Sequence, residues 1–181
     1  MHGMVNKVLE SSISDEYGTD VWARVTERAG VDVDFFVEMM SYPDDITYAI
    51  VKAACDELNV SGDQFLEWFG HRWIESTSRG SYQQYYEMAT DMLGFLEHLN
   101  HLHQDLAHAM PDLNTPTFRL LRSEDGPAVL EYFTERPGLT AFVVGLLLGL
   151  ADHYGQTVEI EVAERREDNG RADVFRILLS E

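Results

Sequence analysis

A single histidine placed among apolar residues is the first feature of the sequence that could do chemistry. The segment from Phe95 to Met110 repeats apolar residues at helical spacing, and only His103 of its four histidines falls well inside the apolar arc. A buried imidazole must bond a partner or bind a metal, because leaving its polar nitrogens unpaired costs free energy. The pattern therefore predicts either a hydrogen-bonded core histidine or a ligand.

A row of hydrogen-bond donors is the second such feature. In Tyr132-Phe-Thr134-Glu-Arg136, the twofold alternation of a strand would place Tyr132, Thr134 and Arg136 on one face. A guanidinium in such a row can bind a carboxylate through two parallel hydrogen bonds. An exposed strand face with the arginine paired to a local glutamate is the alternative. Taken with His103, the row favours a planar apolar cofactor that has a metal centre and carboxylate arms.

The elements that must position these residues form an α+β chain. Apolar spacing and turn residues predict six or seven helices, then an antiparallel sheet of about four strands interrupted by one helix. We expect a helix over Tyr82–Leu93 that Gly94 separates from the His103 helix. We also expect a short buried helix within Val31–Pro43, marked by four residues: Phe35, Phe36, Met39 and Met40.

The strands are predicted from alternation and from turn signals between them. Two strands are expected on either side of a turn at Ser123–Gly126, followed by a strongly apolar helix and a final hairpin closed at Glu167–Gly170. The expected ranges are Thr117–Arg122, Val129–Arg136, the helix Leu139–Tyr154, Thr157–Glu164 and Ala172–Leu179.

Composition bounds the class of protein. We expect one domain over residues 1–181, with 45% hydrophobic residues and a formal net charge of −19. That charge repels phosphate backbones and anionic lipid, so we expect no nucleic-acid or membrane partner. Cys55 is the only cysteine, which excludes an internal disulfide and favours a reducing cytoplasm. The longest apolar stretch, Ala141–Ala151, is too short to span a membrane.

Several motifs together resemble one family. The N-terminal Met-x-Gly-x-Val-Asn, the Leu102-His103 pair in its helix, Pro116-x-Phe118 and the Tyr-x-Thr-x-Arg run resemble the haem nitric oxide/oxygen-binding (H-NOX) domains. The resemblance covers essentially the whole chain. It is closest to the haem domain of soluble guanylate cyclase and to its stand-alone bacterial relatives.

The resemblance implies roles for the residues found above. His103 would be the proximal ligand of the iron of haem b, and Tyr132, Thr134 and Arg136 would hold the haem propionates. Pro116 matches the proline that presses on the haem and distorts it. Thr134 stands where the family motif has serine, so the hydroxyl is kept and a methyl group is added.

The resemblance also bears on which gas binds. Oxygen-binding members carry a tyrosine in the helix after the arginine, and the matching residue here is Phe142, or Ala141 if the alignment slips by one. Neither side chain can donate a hydrogen bond to bound oxygen, so we expect binding of NO and CO but not of O₂. Trp73, Val5 and Leu9 match distal-pocket positions, although ordinary core packing would explain each of them equally well.

The function implied is a cytoplasmic haem-based NO sensor without catalysis of its own. Gas binding would loosen the link to His103 and shift the helices, which would signal in trans to a histidine kinase, a cyclic-dinucleotide enzyme or another signalling protein. A haem enzyme of the peroxidase or dioxygenase kind is one alternative, although no polar acid–base residue accompanies the distal aromatics. A haem-free interaction module is the other.

Overall fold

Eight helices and four strands make up the described part of the chain. The computed structural model describes residues 1–33, 35–80, 82–109, 113–123 and 126–180. The elements before the sheet are α1 Gly3–Tyr17, α2 Thr19–Ala29, α3 Asp44–Leu58, α4 Gly62–Arg79, α5 Gln83–Glu87 and α6 Met92–Ala109. The remainder are β1 Thr117–Leu121, β2 Ala128–Phe133, α7 Thr140–His153, β3 Thr157–Glu164, α8 Arg166–Asn169 and β4 Asp173–Ser180.

The four strands form one antiparallel sheet in the order β1-β2-β4-β3. One core cluster joins this sheet to α6 and α7, where Leu130 and Phe175 meet Val143 and Leu147. A second cluster fills the space among α1, α2, α3 and α4. Trp73 packs against both clusters. The predicted α+β class with a four-stranded antiparallel sheet is confirmed. Helix α5 lies within the helix expected over Tyr82–Leu93 and is shorter than predicted, whereas the short helix α8 was not expected.

Helix ends follow local capping chemistry. Ser61 and Gln64 form a reciprocal capping box at the start of α4, with each side chain bonded to the other residue's backbone. The N–H of Gly94 donates to the Asp91 carboxylate at 2.7 Å, one turn into α6. Gly94 therefore lies in the first turn of α6 and does not separate two helices, so that prediction was wrong.

Helices α4 and α7 cross at close range through glycines. A Cβ atom built on Gly70 would lie 2.2 Å from the carbonyl oxygen of Phe142, and one on Gly145 would lie 2.0 Å from that of Glu67. Both obstacles are backbone atoms, so a side chain at either position would force the helices apart. Gly145 thus allows α7 to approach the backbone of α4.

The segment between α2 and α3 is not helical, contrary to the prediction. Phe36 is buried against the N-terminal cluster, whereas Phe35, Met39 and Met40 are exposed. Short apolar runs carry no reliable period, so the spacing of these four residues did not distinguish a helix from a folded loop. Asp34, within this segment, lies outside the described residues.

Other predicted boundaries shift by a few residues. Strand β2 ends at Phe133, three residues before the predicted end, and the expected turn at Glu167–Gly170 is the short helix α8. Two parts of the earlier predictions, Met110 and the turn residues Glu124 and Asp125, lie outside the described residues. No helix within the described ranges is both long enough and apolar enough to cross a membrane.

Candidate functional site

A largely apolar cavity of about 460 Å³ takes its walls from both core clusters. Its volume falls within the range of small-molecule and cofactor sites. Helices α1, α3, α4, α6 and α7 contribute to it, together with the segment that leads into β1. The structure brings seven of the nine predicted site residues to its walls: Val5, Trp73, His103, Pro116, Tyr132, Arg136 and Phe142.

His103 reaches this cavity from the middle of α6. Its Nδ1 lies 3.1 Å from the carbonyl oxygen of Pro116, and its ring centroid is 5.8 Å from that of Phe118. Because a carbonyl only accepts, Nδ1 carries the proton of the neutral ring and Nε2 keeps its lone pair. Burial lowers the pKa of His103, and the bond to Pro116 offsets that only in part. The ring is therefore neutral near pH 7 and is able to ligate a metal through Nε2.

Asn100, one turn before His103 on α6, fixes this helix against β1. Its Nδ2 donates to the carbonyl of Phe118 at 2.5 Å, and the N–H of Phe118 donates to its Oδ1 at 3.0 Å. The amide thus satisfies both backbone groups of one residue of an edge strand. Sequence reasoning missed this residue, although an amide three positions before the key histidine was a usable signal.

Tyr132, Thr134 and Arg136 do not form the predicted row on one strand face. Because β2 ends at Phe133, only Tyr132 belongs to the strand, and its ring is buried against Phe118. Burial raises the pKa of Tyr132 to about 12, against a smaller opposite effect from its hydrogen bond with Thr134. Thr134 does not line the cavity, and its hydroxyl accepts the N–H of Arg136 at 3.1 Å.

The guanidinium of Arg136 is held by residues distant in sequence. Its Nε donates to Oδ2 of Asp44 at 2.8 Å, and Nη1 donates to the carbonyl of Asn114 at 2.8 Å. Burial acts against ionisation of Asp44, but the bonds from Arg136 and from the N-terminal ammonium hold the pKa of its carboxyl below the usual value. The alternative that Arg136 pairs with a local glutamate is therefore wrong, because its carboxylate partner, Asp44, lies 92 positions away in the sequence.

The sequence does not identify Asp44 as the partner of Arg136, because an aspartate at the start of a helix is ordinarily explained by the helix end itself. Pro43 occupies the N-cap position, and no side-chain cap bond is present there. The same region makes a second link to the segment after β2, since the Tyr48 hydroxyl donates to the carbonyl of Pro137 at 3.2 Å. Arg136 and Pro137 therefore tie the sheet to the N-terminal helices.

Aromatic rings form the wall contributed by α4 and α7. Phe142 stacks on Phe69 at 5.4 Å, and Trp73 lies edge-on to Phe142 at 6.4 Å between ring centroids. Val5 on α1 lines the same cavity. Leu9, one turn further along α1, is fully buried in the N-terminal cluster and does not line the cavity, so for Leu9 the structure supports the core alternative.

Two hydroxyl groups in the cavity wall bind each other. Thr77 Oγ1 donates to the carbonyl of Trp73 at 2.7 Å and lies 2.6 Å from the Tyr86 hydroxyl. Thr77 has one hydroxyl proton, so the second bond takes its proton from Tyr86. Burial raises the pKa of Tyr86 to about 12, which keeps that proton in place. The hydroxyl protons of Thr77 and Tyr86 are therefore both used in hydrogen bonds within the wall.

A metal at this site would need most of its ligands from a cofactor. Within the described ranges, no group of three or more His, Cys, Asp or Glu side chains could hold a metal ion. His103 offers one imidazole inside an apolar cavity, with Arg136 at the same cavity for an anionic group. This donor set suits a planar metal-bearing cofactor with carboxylate arms and is typical of a cofactor-binding domain.

Comparison with known proteins gives the family. The chain belongs to the Haem-NO-binding, or H-NOX, family, whose profile matches residues 2–162. H-NOX domains bind haem and act as gas sensors, not as catalysts. The resemblance found in the sequence motifs is confirmed.

The curated relatives include soluble guanylate cyclases of invertebrates. Soluble guanylate cyclase gcy-34 from Caenorhabditis elegans is 32% identical over 160 residues, which cover 83% of this chain and 23% of that protein. Soluble guanylate cyclase 89Da from Drosophila melanogaster is 24% identical over 170 residues, which cover 93% and 26%. The chain spans about a quarter of the length of these relatives.

Solved structures agree on the fold. An H-NOX protein from S. oneidensis in the Fe(II)NO ligation state matches with a TM-score of 0.91 at 19% identity, over 100% of both chains. The unliganded Fe(II) H-NOX protein from K. algicida gives a TM-score of 0.84 at 18% identity, over 100% of this chain and 97% of that one. The arrangement of helices and sheet is therefore that of an H-NOX domain.

Proposed function

We propose that this protein is a cytoplasmic sensor that binds haem b in the cavity described above, with His103 as the axial ligand of the iron. In this proposal, NO and CO bind, O₂ does not, and the bound state is passed to a separate signalling protein. One observation carries the assignment: His103 points a neutral imidazole into an apolar cavity while Pro116 holds its other nitrogen.

The residues that line the cavity fit a haem group. An apolar cavity would exclude water from the ring of the haem, and His103 would be the single imidazole that the protein offers to its iron. Arg136 and Tyr132 line the same cavity, and their side chains carry the N–H and O–H donors that carboxylate arms would need. Thr134 acts indirectly, because its hydroxyl holds the backbone of Arg136 and bonds Tyr132.

Each side chain has a separate task. When bound, ferrous haem supplies the coordination position at which a diatomic gas binds. His103 provides the proximal bond, and Pro116 keeps its ring in the required tautomer through the carbonyl while lining the cavity itself. Arg136 orients carboxylates, although Asp44 competes for the same guanidinium.

The aromatic wall contributed by α4 and α7 supports the proposed discrimination against O₂. A hydrogen-bond donor aimed at the gas stabilises the polarised Fe–O₂ unit, whereas bound NO and CO gain little from one. Phe142 and Phe69 offer carbon only, and the hydroxyl protons of Thr77 and Tyr86 are already committed. The indole N–H of Trp73 and the hydroxyl of Tyr82, which also line the cavity, are the donors that the spectra in air test.

A signalling role without catalysis fits the same site. General acid–base work on bound peroxide needs a polar side chain beside the iron, and the aromatic wall of Phe69, Trp73 and Phe142 is not of that kind. We propose that the partner is a histidine kinase, a cyclic-dinucleotide enzyme or another signalling protein. Turnover of hydrogen peroxide by the purified protein would favour the enzyme alternative instead.

The test is an absorption spectrum of the ferrous protein under argon, CO, NO and air. We expect CO and NO each to shift the Soret band, and the spectrum in air to match that under argon at early times. Phe142→Tyr is the matched variant, because it adds one hydroxyl at the wall position facing Phe69 and Trp73. It should change the spectrum in air alone. A wild-type shift in air would refute the gas discrimination, and a protein that takes up no haem would refute the proposal itself.

A further inference from the structure

Exposed apolar side chains are concentrated in one segment between α2 and α3. Phe35, Met39 and Met40 are 70%, 63% and 52% exposed, and Val37 between them is 38% exposed. Four of the ten large apolar residues exposed in the described part of the chain thus fall within six positions. We call Phe35, Val37, Met39 and Met40 the apolar patch.

Contacts within the fold fix the backbone of this segment so that the patch side chains face solvent. Phe36, from the same segment, is buried and packs edge-on against Tyr42 at 5.2 Å, so its neighbours turn outward. The N–H of Val37 donates to the Tyr42 hydroxyl at 3.0 Å, and the N–H of Met40 donates to the carbonyl of Val37 at 3.1 Å. Clustered exposed apolar surface of this kind marks an interaction site more often than chance exposure does.

The charge around the patch limits what can cover it. Residues 31–45 include five acidic and no basic residues. Lys7 pairs with Glu38 at 2.9 Å, and the N-terminal ammonium and Arg136 both pair with Asp44. Asp32 and Asp45, also in this segment, add negative charge to it. A second copy of the chain, with its own −19 charge, and an anionic lipid surface would both be repelled. Methionines with an acidic rim suit a basic amphipathic helix, since flexible thioethers adapt to its apolar face.

The segment is bonded directly to the wall of the cavity. The N–H of Gly3 donates to the carbonyl of Met40 at 2.8 Å, and that of Met4 donates to the carbonyl of Glu38 at 3.2 Å. The contact is tight, because a Cβ atom on Gly3 would lie 2.0 Å from the carbonyl oxygen of Val37. Met4 and Val5, in the same turn of α1, line the cavity. Any displacement of this turn therefore moves the patch.

We propose that the apolar patch is the docking surface for a basic amphipathic helix of the signalling partner, and that α1 couples its position to the gas bound in the cavity. This inference rests on the proposed function. For the gas to act as a signal, the partner must bind the protein more tightly in one position of α1 than in the other.

The test measures binding of a fluorescein-labelled leucine–lysine peptide that forms a basic amphipathic helix, by anisotropy, to the haem-loaded ferrous protein. The variant is Phe35→Ser/Met39→Ser, and the matched control is Met88→Ser, whose side chain is also 70% exposed. We expect Kd to rise about tenfold in the double variant and to stay within about twofold in the control. A peptide of the same composition in scrambled order should bind weakly to all three proteins.

The coupling is tested by repeating the titration with NO. We expect Kd for the wild type to change by about threefold or more while the Soret band shifts in the same sample. An unchanged Kd with a shifted Soret band would refute the coupling, whereas an unshifted band would count against the proposed function alone.

Three further outcomes would refute the docking surface. The first is equal Kd values for the double variant and Met88→Ser, and the second is equal binding of the scrambled peptide. The third is a dimer in sedimentation that Phe35→Ser/Met39→Ser converts to a monomer, which would assign the patch to a second copy. Thermal unfolding of both variants checks that the surface substitutions leave the fold intact.

Discussion

At the scale of single residues, hydrogen bonds to neighbouring groups fix where the polar protons of the cavity wall lie. The bond from His103 to Pro116 selects one ring tautomer, and the Tyr86–Thr77–Trp73 chain uses both hydroxyl protons of the wall. The periodicity of α6 identified His103 because one polar residue interrupts an apolar arc. It could not reveal Thr77 or Tyr86, since their pairing depends on how α5 folds back on α4.

The hydroxyl chain gives a stability prediction. Thr77→Val leaves the buried Tyr86 hydroxyl without its acceptor, so we expect the free energy of unfolding to fall by about 1–3 kcal/mol. Tyr86→Phe in the same background removes the unpaired donor, and the double variant should be no less stable than Thr77→Val alone. Urea unfolding at constant haem content measures both. Additive losses from the two substitutions would show that the hydroxyls are not coupled.

At the scale of elements, the crossing of α4 and α7 sets the width of the aromatic wall. Gly70 and Gly145 let the two backbones meet, which brings Phe69 and Trp73 against Phe142. A helix as apolar as α7 is expected in a core, but its partner helix cannot be identified from its own sequence.

Gly145→Ala tests this crossing. The added methyl would meet the backbone of Glu67, so we expect a loss of about 3 kcal/mol or more in the free energy of unfolding. Gly62→Ala is the control, because nothing lies within 4 Å of its Cβ position and alanine is the better helix former. A change of less than about 0.5 kcal/mol at Gly145 would mean that the helices can separate without cost.

The sequence predicts regular elements well but does not predict contacts between distant ones. Elements with a long and regular apolar pattern, such as α7 and β3, were predicted within one residue at each end, because the pattern fixes both the type and the extent of the element. The prediction that Gly94 separates two helices was wrong because the first turn of a helix tolerates a glycine. Here the Asp91 carboxylate accepts the N–H of Gly94 and stabilises that turn. The Arg136–Asp44 pair was out of reach because no local pattern links residues 92 positions apart.

At the scale of the whole molecule, the cavity lies where two cores meet. The N-terminal helices and the sheet each have their own cluster, and Trp73 packs against both. Polar bonds between the two parts, from Arg136 to Asp44 and from Tyr48 to Pro137, lie beside cavity-lining residues. A change in the cavity contents therefore acts on the contacts that join the two parts, which is the arrangement that a sensor requires.

The most direct measurement is the ferrous absorption spectrum of His103→Gly, with and without added imidazole. His101→Gly is the matched control, because His101 is exposed on the polar side of the same helix. We predict that His103→Gly loses haem or gives an altered spectrum, that free imidazole restores the wild-type spectrum, and that His101→Gly is indistinguishable from wild type. A wild-type spectrum from His103→Gly without imidazole would contradict the assignment of His103 as the axial ligand.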